Sequence, residues 1–541
     1  MAHTFRSHFL ALFVGVAIAF TFGALSGCVS SRSLIEGLAK TPHLAVQDSE
    51  SYRHMNPFQQ DFLYLTEAVR ETHPEPYVAW SKDQFDSEQA HLLNSLSTDT
   101  SKAAFEESLK SFLSHLHDGH TGAPAPWLRG QRQYPVSFFW IKDTLILASV
   151  GSEADTTLLG SHVLGFDGIP TDEVLTRFSR FISYENVYQA RRTLQYYFVF
   201  PSLQREAGVT HSDTLDLSLL GRDGSVRTYR VLPVEQPKRV FHYETNPITQ
   251  KVNRLFKYTI LEKEKACYFQ WNAMADLRIA HILSFPSNLF FYPVAWFNGI
   301  GYFDNFLKNM FEDMEEQGVK TLIVDLRGNG GGGSIYGEML LYHLKVPPNI
   351  RNYSMAIRFS PLYGESFPEE YHYYASRYAE KFSGRQLPDS LIVTSSFVHR
   401  DSVQAQYFRN VTDKESDYYI EPDRTIFIEH VYFLVGDGTY SSAIILSTIV
   451  KDNKLFTIVG QPTRGRPSHY GQILSLKLPN SSIVCTISCK KFFRPDVTKD
   501  SEDSLYPDVA IWPTYDDLVH GRDPVFDWVL QDARKRAATA N

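Results

Sequence analysis

Apolar residues return at three- and four-residue intervals between about 53 and 120, the period of a helix packed on one side. Phe62, Leu65 and Val69 form one stripe before Pro74, and Phe105, Leu109, Phe112, Leu113 and Leu116 form a second, with Thr100 or Ser101 placed to cap it. This spacing predicts a helical unit over residues 53–130. The pattern then shortens to strand-like runs, Val136–Trp140, Thr144–Val150 and Thr214–Leu220, which predict a β-rich unit over 131–250 interrupted by a helix. After residue 255 strand and helix alternate: an apolar strand Ile279–Phe285, a helix carrying Phe303, Phe306, Leu307, Met310, Phe311 and Met314, a buried strand Thr321–Leu326, and a helix from about Ser334 to Leu344. Strand Val431–Val435, a helix from Ser441 to about Val450 and strand Leu455–Val459 continue it. Such alternation predicts parallel strands joined by crossovers, an α/β core over 255–520 followed by a C-terminal helix or tail over 521–541. Residues 347–425, rich in aromatics from Tyr353 to Tyr378, read as an insertion covering the site; a satellite core accounts for the aromatics equally well.

The chain of 541 residues is too long for one ordinary core, in keeping with several units. Its first residues carry a separate message. Phe9–Leu25 is an apolar run preceded by Arg6 and closed by Leu25-Ser26-Gly27-Cys28. This pattern reads as an export signal over 1–27, and its end resembles the lipobox of bacterial lipoproteins. Cys28 would then become the lipid-bearing first residue, with 28–52 as a tether and the body in the cell envelope of a Gram-negative-type bacterium, facing the periplasm or on the outer membrane. A plain signal-anchor helix is the other reading of the same run. A net charge of −8 and the lack of a Lys/Arg block exclude a nucleic-acid partner. Cys267, Cys485 and Cys489 do not make a disulfide framework; on one strand, positions 485 and 489 are too far apart to bridge.

Three blocks carry candidate chemistry. In VDLRGNGGGG, Val324–Gly333, a strand runs into glycines and then a helix, which leaves backbone N–H groups free to hold negative charge. A phosphate loop is the rival, but the Lys-Ser/Thr it needs is missing, since Ser334-Ile335 follow. In VYFLVGDGTYSSA, Val431–Ala443, a strand ends in a tight turn with serines at a helix start, a place where serine usually only caps. In HLHDGHTG, His115–Gly122, the histidines 115, 117 and 120 have no standard metal-ligand spacing, so no metal is assigned and an exposed turn is the plain alternative.

Taken together, Asp325–Gly331 and Thr439–Ala443 resemble the Asp-Leu-Arg-x-Asn-x-Gly-Gly and Thr-[Phe/Tyr]-Ser-x-Ala motifs of the tail-specific (C-terminal processing) serine peptidases. Gly460, Thr463, Gly465, Tyr470 and Gly471 match a third element of that family. The resemblance implies a crotonase- or ClpP-like core of βαβ repeats, a peptide or protein substrate, Ser441 as nucleophile, and oxyanion donors from Gly330 or Gly331 and from Ser442. Asp325 and Arg466 would support the substrate site, and no cofactor is needed. The stretch Leu158–Phe178 resembles the PDZ-like signature, giving a domain suited to capturing a carboxyl end. One branch of the family uses a lysine base where this chain has Arg466, which cannot accept a proton, so a lysine base would have to come from Lys490 or Lys491. The tricorn-like branch uses histidine from an element like Asp118-Gly119-His120-Thr121, which makes His120 the expected base, since an imidazole titrates near neutrality. Glu502, before Pro507-Asp508, is the implied carboxylate behind it, with Asp503 as alternative. Ile444 stands where the family usually has glutamate, which leaves open a peptide-binding homologue without activity. A crotonase-like isomerase or hydratase would share the core but leaves the serine motif and the separate histidine unexplained.

Overall fold

The computed structural model describes residues 39–123, 130–252, 254–276, 301–344, 346–347, 350–382, 392–397 and 428–539. The signal segment, Cys28 and the strand expected at Ile279–Phe285 lie outside them. Among the described residues no helix is long and apolar enough to cross a membrane.

The core is a six-stranded sheet in the order Val509–Ala510, Thr457–Gly460, His430–Val435, Thr321–Asp325, Ala266–Trp271 and Phe256–Leu261. All neighbours are parallel except the last pair. Period-two alternation divides its side chains between two cores. Cys267, Phe269, Trp271, Leu322, Val324, Val431, Phe433 and Val435 point to one face, under the helices Phe303–Glu316, Ile335–His343 and Ser442–Asp452. Ala266, Tyr268, Ile323, Tyr432, Leu434 and Val459 point to the other, under the C-terminal helix Pro524–Thr539 through Val525, Phe526, Val529 and Ala533. Burial on both faces is why these strands read as unbroken apolar runs.

The β-rich unit is a second sheet, Ser137–Ile141, Thr144–Gly151, His162–Phe166, Leu215–Leu220 and Val226–Val231 in that order. Helix Thr171–Ser179 shares its core through Val174, Leu175 and Phe178, and helix Val187–Leu194 follows. The third sheet is antiparallel, Ile392–Phe397, Arg351–Ile357, Val484–Phe493 and His469–Lys477. Its pairing corrects the reading of 347–425 as an insertion over the site: Arg351–Ile357 is an inner strand, and Tyr353, Phe359 and Tyr363 are buried in the cores beneath it.

This third sheet carries the N-terminal helices, Pro57–Thr72, Lys82–Ser95 and Lys102–Ser114, to the rest of the molecule. Phe62, Leu65, Val69, Leu109 and Phe112 pack with Leu474, Leu476, Cys485, Ile487 and Cys489, all of them buried. At about 1.5–3 kcal/mol per buried large apolar side chain, this is a strong attachment. Among the described residues, Cys267, Cys485 and Cys489 are free and buried. Asp61 caps the hairpin from beneath, accepting the N–H groups of Asn480 (2.8 Å) and Ser481 (2.6 Å). The turn after the third helix is stitched to the same sheet, where Gly122 pairs with Thr486 and Thr121 Oγ1 accepts the Ser488 N–H at 2.9 Å.

Candidate active site

Strand His430–Val435 ends in a turn held by Thr439, whose hydroxyl accepts the Gly436 N–H (3.0 Å) and donates to the Leu326 carbonyl (2.8 Å). The chain then enters the helix Ser442–Asp452 through Ser441, which sits at φ 53°, ψ −126°. A non-glycine residue held at positive φ between strand and helix is strained, and a reactive serine is presented in this way on other strand-turn-helix folds. Ser442 is buried and donates its hydroxyl to the Gly332 carbonyl at 2.6 Å. Ser441 is partly exposed and has no such bond among the described residues, so of the two serines it is the one with a hydroxyl to spare.

The glycine block packs directly against it. A methyl group built on Gly331, whose φ is 101°, would fall 2.7 Å from Ser441 Cβ and 3.1 Å from Ser442 N. Gly331 does not serve as an oxyanion donor, because its N–H is donated to Asn329 Oδ1 at 2.8 Å. The Ser442 N–H at the helix start and the Gly330 N–H remain. Asn329 also accepts the Tyr440 N–H on its carbonyl (3.0 Å), which locks the two blocks together.

His120 arrives from the helical unit, nearly buried, with its ring stacked on Tyr440 at 4.6 Å between centroids. Its Nδ1 lies 3.0 Å from the Tyr440 hydroxyl, 3.6 Å from Glu185 Oε1 and 3.8 Å from Asp118 Oδ1. The Tyr440 hydroxyl donates to Glu185 Oε1 at 2.9 Å. Its only proton is thereby used, so toward His120 the phenol oxygen accepts, and the imidazole proton belongs on Nδ1. Nε2 is left with a lone pair, buried and without a hydrogen bond among the described residues. Burial first, then the negative charges of Glu185 and Asp118, push the Tyr440 hydroxyl well above its ordinary range, which keeps it a donor.

Asp118 sets the turn itself: its carboxylate accepts the His120 N–H (2.9 Å) and the Thr121 hydroxyl. Burial alone would raise its pKa, but the His73 imidazole, 3.3 Å away, and the charge of His120 outweigh this and leave it below the usual carboxylate range. His469 stacks behind His120 at 5.9 Å and donates Nδ1–H to the Pro467 carbonyl at 3.0 Å; burial lowers its pKa and favours the neutral ring.

Several expected site residues lie elsewhere. Glu502 pairs with Arg494 at 2.7 Å and is not within ion-pair reach of His120; among the described residues the carboxylates within reach are Glu185 and Asp118. Asp503 hydrogen-bonds Tyr506 at 2.7 Å. Asp325 holds Arg327 and accepts the Tyr268 hydroxyl (2.6 Å), so it braces the strand end instead of facing substrate. Arg466 contributes through its backbone N–H, donated to Glu185 Oε2 at 2.9 Å. Lys490 and Lys491 are paired with Glu370 and Glu75, which rules out the remaining lysine bases. Ile444 is fully buried, and a methyl group on Gly465 would meet Ile444 Cδ1, Tyr440 Cε2 and Glu185 Oε2 within 3.0 Å. The acid in this corner thus comes from Glu185 of the β-rich unit.

Of the clustered histidines, only His120 reaches the site; His115 stacks on Trp80 (4.5 Å) and His117 faces Tyr184 (5.8 Å). Asp118, His120 and Glu185 place three possible ligand atoms within 4.8 Å of one another, yet both carboxylates are already held by the hydrogen bonds above.

Residues 383–511, which include Ser441 and the Gly460–Gly471 element, match Peptidase family S41. No curated protein matches the chain. Among solved structures, mature CPAF complexed with lactacystin superposes with a TM-score of 0.56 at 15% identity, covering 89% of this chain and 98% of that one. Mature CPAF alone gives 0.54 at 14%, covering 88% and 95%. The photosystem II D1 C-terminal processing protease gives 0.38 at 12%, covering 87% and 99%.

Proposed function

We propose that this chain, whose residues 383–511 match Peptidase family S41, is a serine peptidase of the tail-specific kind with Ser441 as nucleophile and His120 as general base. One observation carries this reading. Tyr440, the residue before the nucleophile, anchors His120 Nδ1 and leaves the Nε2 lone pair free on the ring that stacks beside the nucleophile turn.

In the proposed reaction a peptide carbonyl enters between Ser441 and the glycine turn. His120 Nε2 takes the Ser441 proton as Oγ attacks, and the Ser442 and Gly330 N–H groups hold the developing oxyanion, each donor typically worth about 10²- to 10³-fold. The imidazolium is stabilised by Glu185, both across 3.6 Å and through Tyr440, and by Asp118 at 3.8 Å, then passes its proton to the leaving amine; water releases the acyl-enzyme by the same route. Ser441 and His120 are not hydrogen-bonded to each other, so proton transfer requires the two to close when substrate binds.

We extend the proposal to the surroundings of the site. The β-rich unit, which supplies Glu185 and Gln189, is proposed as the PDZ-like receptor for a carboxyl end, on the motif at Leu158–Phe178 and the strand-strand-helix order found there. Export and lipid attachment at Cys28, with action on proteins of the cell envelope, are proposed on the sequence of the first 28 residues. Ile444 is the observation that favours a peptide-binding homologue without activity. Incubating an unfolded protein with the wild-type chain and with S441A, and reading fragments by mass, separates the two: cleavage by the wild type alone is expected, and no cleavage by either would sink the peptidase reading.

A further inference from the structure

Arg464 lies in the Gly460–Gly465 element and has no assigned role in the proton relay. Its guanidinium carbon sits 4.5 Å over the Tyr440 ring, and a methyl group on Gly330 would lie 3.9 Å from Nη2. The charged tip is therefore between the residue preceding the nucleophile and the glycine whose N–H is the proposed oxyanion donor. Its Nε is buried without an acceptor, and among the described residues no carboxylate oxygen lies within 4.0 Å of the guanidinium.

The nearby acids are committed. Both Glu185 oxygens are engaged, one by the Tyr440 hydroxyl and one by the Arg466 N–H, and Asp437 pairs with Arg192 at 3.4 Å. Burial pulls the Arg464 pKa below its usual value, Arg192 adds to the effect, and Tyr440, Asp437 and Glu185 only partly oppose it. A guanidinium stays protonated even so, and a mostly buried, unpaired one is costly unless an anion completes it. Its planar fork matches a carboxylate in particular.

We propose that Arg464 receives a carboxylate of the bound peptide, seated beside the scissile bond. The inference deepens the peptidase reading and rests on it. Two sources share this chemistry, an Asp or Glu side chain close to the cut and the peptide's own C-terminus, and they demand different substrates: acidic sequences in one case, ends trimmed by a few residues in the other.

Full-chain S441A protein, immobilised, is exposed to three octapeptide mixtures: neutral and capped at both ends, the same with one Glu, and the same neutral mixture with a free C-terminal carboxylate. Retained peptides are counted by mass spectrometry. One carboxylate class is expected to be enriched about ten- to hundredfold over the neutral mixture. That enrichment should fall to about onefold in R464Q and be kept in part by R464K, with matching far-UV circular dichroism showing that each variant is folded. Enrichment of the Glu mixture assigns the side-chain source, and enrichment of the free-ended mixture assigns the terminal one. Equal retention of all three mixtures, or an enrichment that survives R464Q, overturns the proposal. Labelling of wild-type Ser441 by an uncharged fluorophosphonate separates the two failures: a labelled serine without carboxylate preference refutes Arg464 alone, whereas an unlabelled serine refutes the peptidase reading beneath it.

Discussion

Glu185 and Tyr440 decide which ring nitrogen of His120 carries the proton, and this decision can be reversed by one atom. With glutamine at 185, the new amide can donate to the phenol oxygen, turning the Tyr440 O–H toward Nδ1 and moving the imidazole proton to Nε2, where it would block the proposed base. E185Q is therefore expected to lower kcat by about 10²- to 10⁴-fold with a smaller change in KM, as for a triad whose carboxylate is neutralised. E502Q should leave kcat near wild type, since Glu502 is 2.7 Å from Arg494 and not beside the histidine. Steady-state kinetics on the two variants distinguishes them. Gly331 is as restrictive: G331A combines a φ of 101° with a 2.7 Å approach to Ser441 Cβ, and it should abolish turnover while far-UV circular dichroism stays close to wild type. The serine motif and the Asp-Gly-His-Thr turn were legible because both are contiguous and chemically distinctive. Glu185 was not, because it is one acidic residue ahead of a helix cap at Asn186, and only the docking of the β-rich unit brings it within 3.6 Å of His120.

At the scale of elements, the helix that follows Ser441 is fixed at its far end. Its last residue, Asp452, is paired with Arg494, which follows strand Val484–Phe493, at 2.7 Å, and both side chains are fully buried. Removing one partner of such a pair strands the other charge, so R494A is expected to cost about 3–5 kcal/mol in denaturant unfolding. E502Q should cost under about 1 kcal/mol, since the Glu502 side chain is 37% exposed. The central strands and helices of the core were readable from their periods, within a residue or two at each end. Ala266–Trp271 was not singled out, because Gln270 interrupts the apolar run that marks its parallel neighbour Thr321–Asp325. The strand Arg351–Ile357 was misjudged for a related reason: its aromatics signal burial, but the partner that buries them, Val484–Phe493, lies more than a hundred residues further along the chain.

At the scale of the whole molecule, the site exists only while three units are docked, since His120, Glu185 and Ser441 each come from a different one. One contact between the helical and β-rich units is sensitive to pH. Burial first, and then the carboxyl of Glu107, push Glu206 from 4.5 up to about 8. The folded state holds this proton over a range in which the unfolded chain has released it. The stabilisation is complete below about 4.5 and is lost as pH rises toward about 8. Relative to wild type, E206Q should therefore gain stability progressively between those limits, measured as the difference in melting temperature across a pH series; a difference that stays flat with pH would refute the assignment.

The most direct measurement is the rate at which an uncharged fluorophosphonate modifies Ser441 in the wild type and in H120A, followed by intact mass and peptide mapping. If His120, 321 residues earlier in the chain, activates this serine, the wild type is modified at Ser441 and H120A is slowed about 10²- to 10⁴-fold. Equal rates in the two proteins, or modification at some other residue, would contradict it.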